Sequence, residues 1–321
     1  MIVLTGGAGF IGSCILAKFN ERGEKDIIVV DHLDDNLKKE NLKNKKYAQF
    51  VDKKDFLKNV AGDQLDKKIS AVIHMGACSS TILQDARYFE ENNFLYSKTL
   101  GEWCLRNHVR FIYASSAATY GDGSLGYGDD DALTPRLKPL NLYGQSKQKF
   151  DLWILEKGAQ AKTAGLKFFN VFGPNEYHKG DMRSVIAKAY ARAAGEGKIS
   201  LFKSHKKEYK DGEQKRDFIY VKDAVDIVMY FFDHPEKNGI YNVGTGKART
   251  WNDLARALFA AAGKKPNIEY MEMPEFMRPQ YQYFTEAKME KLRAAGYKKP
   301  FMQLEATVKD YAGYLKNHTY L

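Results

Sequence analysis

Tyr143 and Lys147 stand four residues apart in Asn-Leu-Tyr-Gly-Gln-Ser-Lys, residues 141 to 147. Positions i and i+4 share one face of a helix, so the Lys147 ammonium can sit beside the Tyr143 phenol and favour its phenolate. A phenol with a pKa of about 10 needs that help to act as a base near neutrality. The same pair is also a common pattern of solvated helix faces, so its surroundings decide its meaning. Phe111-Ile112-Tyr113-Ala114 runs into Ser115-Ser116-Ala117-Ala118-Thr119, an apolar strand that ends in hydroxyls. Open α/β sheets bind ligands at the carboxyl ends of their strands. Ser116 could there donate to the oxygen that Tyr143 deprotonates, although serines also close strands by bonding nearby backbone.

A second constellation supplies the partner for such chemistry. Thr5-Gly6-Gly7-Ala8-Gly9-Phe10-Ile11-Gly12-Ser13 follows the apolar Ile2-Val3-Leu4 and precedes a helical pattern at Ile15, Leu16 and Phe19. It reads as strand, tight turn, helix. Gly6 permits the turn, Gly9 lets backbone amides approach a pyrophosphate, Gly12 lets helix and strand pack closely, and the helix N-terminus adds partial positive charge. Ile27-Ile28-Val29-Val30 then forms a strand ending at Asp31, where a carboxylate can bond an adenosine ribose. A hydroxyl-directed base beside a dinucleotide loop points to nicotinamide-dependent redox chemistry at an alcohol.

The elements that must position these residues alternate strand and helix as far as about residue 170. Strands are predicted near 2–5, 27–31, 48–51, 70–75, 110–115 and 165–169, with helical patterns over 85–106 and 142–158. Such alternation implies a parallel, doubly wound Rossmann-type α/β sheet covered on both faces, with right-handed crossovers. Beyond Pro174 the pattern loosens: a helix is predicted over 181–197 and a charged loop over 203–214. Residues 217–221 and 223–232 are expected to return to the sheet, and Thr250 to cap a helix over 251–261. The lobes therefore exchange segments. Residues 1–170 and 215–249 form the dinucleotide-binding domain, and 171–214 with 250–321 form a smaller α/β substrate lobe.

Composition fits an ordinary globular enzyme of 321 residues, 44% hydrophobic and 28% charged. No apolar run approaches the roughly 20 residues of a membrane span. Met1 to Leu4 lead directly into the nucleotide loop, so no signal peptide and a cytoplasmic location are predicted. Cys14, Cys78 and Cys104 are odd in number and widely spaced, which suits reduced thiols better than a disulfide framework or a metal site. The net charge of +10 comes from dispersed lysines and arginines. Its densest patch, Lys203 to Arg216, is interleaved with Glu208, Asp211 and Glu213, so it reads as a solvated loop or a phosphate-binding lid rather than a nucleic-acid surface.

These residues make the chain resemble the extended short-chain dehydrogenases/reductases of the NAD-dependent epimerase/dehydratase type, and within them the ADP-heptose 6-epimerases. The general resemblance rests on Thr5 to Ser13, Asp31, Ser116, Tyr143 and Lys147. The more specific one rests on Gly76-Ala77-Cys78-Ser79-Ser80-Thr81, Asn92-Asn93, Phe169-Asn170-Val171-Phe172-Gly173-Pro174, His178-Lys179-Gly180, Arg216-Asp217-Phe218 and Arg278-Pro279-Gln280-Tyr281-Gln282. It implies an isomerase that inverts C6 of the heptose of ADP-D-glycero-D-manno-heptose through a transient ketone, for the heptose of the lipopolysaccharide core. It also implies one tightly held NADP per subunit and a homo-oligomer, in this family a pentamer.

The resemblance carries over individual roles. Tyr143 and Lys179 would serve the two faces of the ketone, with Ser116 and Lys147 assisting. Asp31 by itself argues for NAD, since its charge repels a 2′-phosphate. Lys38 and Lys53 match the family's contacts to that phosphate and imply NADP. Phe10, Ile11, His32, Met75, Gly76, Ala77, Cys78, Ser79, Asn92 and Val171 would complete the cofactor path, Met75 replacing an acidic residue of the family. Asn170, Asp181, Lys188, Phe202, Lys203, Ser204, His205, Arg216 and Tyr281 would meet the substrate. Asp181 replaces a serine and Lys188 a histidine, and both departures touch the sugar's identity.

Two other readings compete. A sugar-nucleotide epimerase or 4,6-dehydratase shares the fold, but Ala117-Ala118-Thr119 lacks the adjacent acid pair of the dehydratases. A non-catalytic cofactor-binding protein would be expected to have lost Tyr143 or Lys147.

Overall fold

In a computed structural model the described residues are 1–33 and 35–321, the side chain of Gln280 excepted, so that part of the motif around Tyr281 lies outside the described residues. The strands are β1 Ile2–Thr5, β2 Ile27–Asp31, β3 Gln49–Asp52, β4 Ala71–His74, β5 Arg110–Ser116, β6 Thr163–Phe168, β7 Asn170–Phe172, β8 Ile199–Phe202, β9 Lys215–Tyr220, β10 Gly239–Val243, β11 Ala248–Thr250 and β12 Ile268–Met271. A seven-stranded parallel sheet runs β10-β6-β5-β4-β1-β2-β3. The order reverses between β1 and β4, which is where a Rossmann sheet opens a crevice for a dinucleotide.

Helices α1 Phe10–Glu21, α2 Asn36–Glu40, α3 Lys53–Ala61, α4 Ala86–Phe89, α5 Tyr96–Arg106, α6 Leu142–Glu156, α7 Val185–Gly195, α8 Val221–Asp233, α9 Trp251–Ala261, α10 Glu290–Ala294 and α11 Leu304–Asn317 complete the fold. Alternate strand residues feed two cores. Leu4, Val29, Ile73 and Ile112 pack on one face with residues of α1 and α8. Val3, Val30, Val72, Phe111 and Tyr113 pack on the other with residues of α3, α5 and α6. Burial on both faces explains why these strands read as continuous apolar runs.

Local chemistry sets several boundaries. Asn141 caps α6 by accepting from Gly144 N at 2.8 Å, which fixes the register of the helix carrying Tyr143. Thr250 caps α9 as predicted, its hydroxyl accepting from Asp253 N while Asp253 accepts from Thr250 N. The helix predicted over 85–106 contains a π turn at Glu90–Leu95. There Asn93 faces Cys78 and bonds both its N and O, at 2.8 and 2.9 Å, while Asn92 accepts from Lys53 at 3.0 Å.

Three expectations are corrected. Residues 215–220 do not rejoin the main sheet; β9 pairs with β7 and β11 in a three-stranded sheet, and only α8 returns to the main layer. The seventh parallel strand is instead Gly239–Val243, which pairs with β6. The helix predicted from 181 begins at Val185, because Gly180 turns with φ +52° and Ser184 caps the helix by accepting from Ala187 N.

Candidate active site

Two connected cavities occupy the carboxyl edge of the main sheet. The larger, about 1000 Å3, extends from the glycine loop past Asp31 and Lys38 to Met75, Gly76, Ala77 and Ser79, and on to Lys147, Val171 and Lys179. The smaller, about 280 Å3, ends at Arg216, Tyr281 and Gln282. Ser116, Tyr143, Phe168, Phe169 and Asn170 line both, so the predicted base and its hydroxyl partner stand at the junction.

The glycine loop leaves room for a backbone-bound ligand. Gly6 has φ +67°, and a Cβ on Gly12 would lie 2.1 Å from Gly6 O, so neither position tolerates a side chain. Gly9 is the N-cap residue of α1, with no side chain to cover the free amides of the first turn. The pyrophosphate of a dinucleotide suits that cradle, and the residues present fit such a cofactor.

At the adenosine end, Asp31 accepts from Ala8 N at 2.9 Å and His32 N at 2.7 Å, and its Oδ1 lies 2.5 Å from Lys38 Nζ. Its charge is thus already neutralised. Asp35 and Asn36, which sequence reasoning passed over, line the same wall, and their position just after β2 could have flagged them. His32 turns instead to Asp52, 2.8 Å away, Lys53 donates to Asn92 at 3.0 Å and Cys78 N to Asn93 at 2.8 Å, and none of His32, Lys53, Asn92 and Cys78 lines the larger cavity itself.

Tyr143 and Ser116 share a hydrogen bond; burial pushes the phenol above its ordinary value, and that bond acts against the rise. The expected pairing of Lys147 with Tyr143 is corrected. Lys147, 4% exposed, donates to Ala114 O at 2.9 Å. A buried ammonium takes the strong acceptor within its reach, and the phenol is engaged by Ser116. Burial pushes Lys147 down to about 8, and the Asp151 carboxylate opposes it.

Lys179 enters the larger cavity from the 3-10 turn Tyr177–Met182, its Nζ 5.2 Å from the centre of the Phe10 ring. Burial lowers its pKa, and Glu176 works the other way. Glu176 is fully buried and holds this turn to α7, accepting from Ser184 N at 2.6 Å and Ser184 Oγ at 2.7 Å. His178 also lines the cavity; burial, with Lys38 and Lys179 nearby, pushes it down to about 4 and keeps it neutral.

Arg216 is 7% exposed, and among the described residues no carboxylate pairs with it, its titratable neighbours being tyrosines. Its guanidinium lies 5.0 Å from the Tyr281 ring and 5.7 Å from the Trp251 ring, and the Trp251 indole donates to Tyr281 Oη at 2.9 Å. A buried guanidinium facing a cavity without an acid is arranged to receive an anion. Phe202 reaches this group edge-on, 6.5 Å from Tyr281, whereas Lys203 and His205 turn to Glu272 and Ser204 folds back on Lys206 and Asp211. Asp181 and Lys188 are exposed and lie on neither cavity wall, Lys188 donating to Asp181 O at 3.2 Å. The turn that aims Lys179 inward leaves both outside.

Comparison with known proteins agrees with this geometry. The sequence model described as the NAD dependent epimerase/dehydratase family matches residues 2–244. An ADP-L-glycero-D-manno-heptose-6-epimerase of Nitratidesulfovibrio vulgaris is 55% identical over 311 residues, covering 97% of this chain and 96% of that one. The crystal structure of the Helicobacter pylori ADP-L-glycero-D-manno-heptose-6-epimerase superimposes with a TM-score of 0.82 at 27% identity, covering 98% of this chain and 96% of that one. A Thermus thermophilus UDP-glucose 4-epimerase in complex with NAD gives 0.78 at 26% identity, covering 98% of each.

Proposed function

Because the chain belongs to the NAD dependent epimerase/dehydratase family, we propose that it inverts C6 of the heptose of ADP-D-glycero-D-manno-heptose, giving the L-glycero epimer used for lipopolysaccharide core heptose. The observation that carries this reading is that a buried Arg216 without a carboxylate partner lines the same small cavity as Tyr143 and Ser116, which also line the glycine-loop cleft. Arg216 receives the diphosphate, and the sugar then extends towards Tyr143. The relatives named for this reaction support the choice of sugar.

Gly6, Gly9, Gly12, Asp31, Lys38 and Lys147 hold the cofactor, with Lys38 and Lys53 selecting NADP through its 2′-phosphate. When bound, a nicotinamide dinucleotide supplies the oxidation of the C6 alcohol and its re-reduction. Tyr143 Oη takes the hydroxyl proton on one face, and Ser116 Oγ holds the same oxygen. Lys179 Nζ serves the other face, so the centre is inverted without one group having to reach both sides. Asn170, shared by the two cavities, orients the sugar.

The same reading assigns 1–170 and 215–249 to the cofactor lobe, and 171–214 and 250–321 to the substrate lobe. It also places the protein in the cytoplasm as a homo-oligomer, which sedimentation of the purified protein tests. No helix among the described residues is long and apolar enough to cross a membrane. Incubating the protein with ADP-D-glycero-D-manno-heptose and determining the C6 configuration by NMR tests the function. Appearance of the L-glycero epimer is expected, and an unchanged sugar would overturn the assignment.

A further inference from the structure

One turn beyond Lys147 on α6, Asp151 is completely buried and carries three partners. Its Oδ2 accepts from Ser115 Oγ at 2.7 Å and lies 3.0 Å from Lys167 Nζ, and its Oδ1 accepts from Tyr113 Oη at 3.1 Å. Lys167, 1% exposed on β6, also donates to Thr119 Oγ1 at 3.0 Å and lies 5.1 Å from the Tyr120 ring centre. Thr119 Oγ1 in turn donates to Ser116 O at 2.8 Å. Asp151 and Lys167 therefore tie α6, β5 and β6 together directly beneath Ser116, Tyr143 and Lys147, yet neither lines a cavity.

Burying an ion pair costs desolvation that its own attraction seldom repays, so stability alone is a weak reason for this one. We propose, building on the function assigned above, that Asp151 and Lys167 are a positioning pair that locks Ser116, Tyr143 and Lys147 in register and gives the buried Lys147 ammonium its counter-charge. Of the other groups around Lys147, only Cys78 acts on it in the same direction, and less than Asp151 does. His74 on β4 is bonded through both ring nitrogens, to Thr5 Oγ1 at 2.6 Å and Ser97 Oγ at 2.8 Å, and burial keeps it neutral. Tyr143 bonds Ser116, and Glu90 pairs with Lys149 on the outer side of α6. Asp151 is the carboxylate that acts on Lys147, and it acts in the same direction on Tyr143, raising both. Removing its charge lowers both titrations together.

The test is Asp151→Asn, which keeps the size of the side chain, with two readouts. Lysine-selective 13C labelling, with the Lys147 signal assigned through Lys147→Met, follows the ammonium titration without substrate. The pH profile of epimerisation follows Tyr143 and Lys147 in turnover. The Lys147 titration should fall by about one pH unit or more, and the whole pH–rate profile should move to lower pH. Should the single variant fail to fold, Asp151→Asn combined with Lys167→Gln removes the Lys167 charge that the single change would strand and should still lower the Lys147 titration, by less than the single change because a neighbouring cation leaves with the carboxylate. An unmoved Lys147 titration in the folded variant would overturn the proposal, marking the pair as structural only. If the wild type shows no epimerisation while Lys147 still moves, the function reading fails and the positioning pair stands.

Discussion

Lys38 Nζ lies 2.5 Å from Asp31 Oδ1, so the acid that ends β2 reaches the adenosine end of the cleft already neutralised by a lysine seven residues further on. A lone aspartate there would repel a 2′-phosphate, whereas this pair does not. The purified protein should release NADP(H) on denaturation. Replacing Lys38 and Lys53 with alanine should weaken NADP by about 1.5–3 kcal/mol per lost charged contact and leave NAD much less affected. Release of NAD alone, or equal weakening of both dinucleotides, would remove the two lysines from the cofactor site.

Gly12→Ala tests the cradle. Its Cβ would sit 2.1 Å from Gly6 O, and backbone at both positions must shift, which costs about 1–3 kcal/mol. The variant should fold but lose its resident dinucleotide, as followed by absorbance of the purified protein. Full cofactor content would show that the loop does not approach the ligand as closely as its packing suggests.

Much of this site could be read from sequence because its signals are local. The glycine spacing, the helix over 142–158 and the placement of Tyr143 on it each depend on residues within a few positions of one another. What escaped reading depends on contacts between distant segments. Nothing near residue 215 says that β9 will join β7 rather than the main sheet, and nothing around Tyr143 says that Ser116 will hold its phenol while Lys147 turns to Ala114 O. The link from Asp151 to Lys167 joins a helix to a strand 16 residues later and is invisible to any helical period. Asp181 and Lys188 were placed by family position, and the turn at Gly180 carried them to the surface.

Arg216→Met keeps much of the apolar stem between Trp251 and Tyr281 and removes the charge. Truncating one partner of a buried charge contact costs about 2–5 kcal/mol, so kcat/KM should fall by about 30-fold or more, chiefly through KM, while cofactor content stays normal. Unchanged KM would move the diphosphate elsewhere.

Tyr143→Phe and Lys179→Met should each lower epimerisation by about 10²- to 10⁴-fold, the usual contribution of a general acid or base. Each should leave one redox half-reaction. A substrate analogue with an aldehyde at the reacting carbon reports this, because its dismutation to alcohol and acid needs no inversion. Wild-type epimerisation by Lys179→Met would leave Tyr143 alone and require the sugar to rotate within the site.

The central claim, inversion at C6 by oxidation and return of the same hydrogen, is tested most directly with ADP-D-glycero-D-manno-heptose deuterated at C6. Conversion in ordinary water should give the L-glycero epimer with the deuterium still on C6, observed by NMR and mass spectrometry. Loss of deuterium to solvent, inversion at another carbon, or recovery of unchanged sugar would contradict the account.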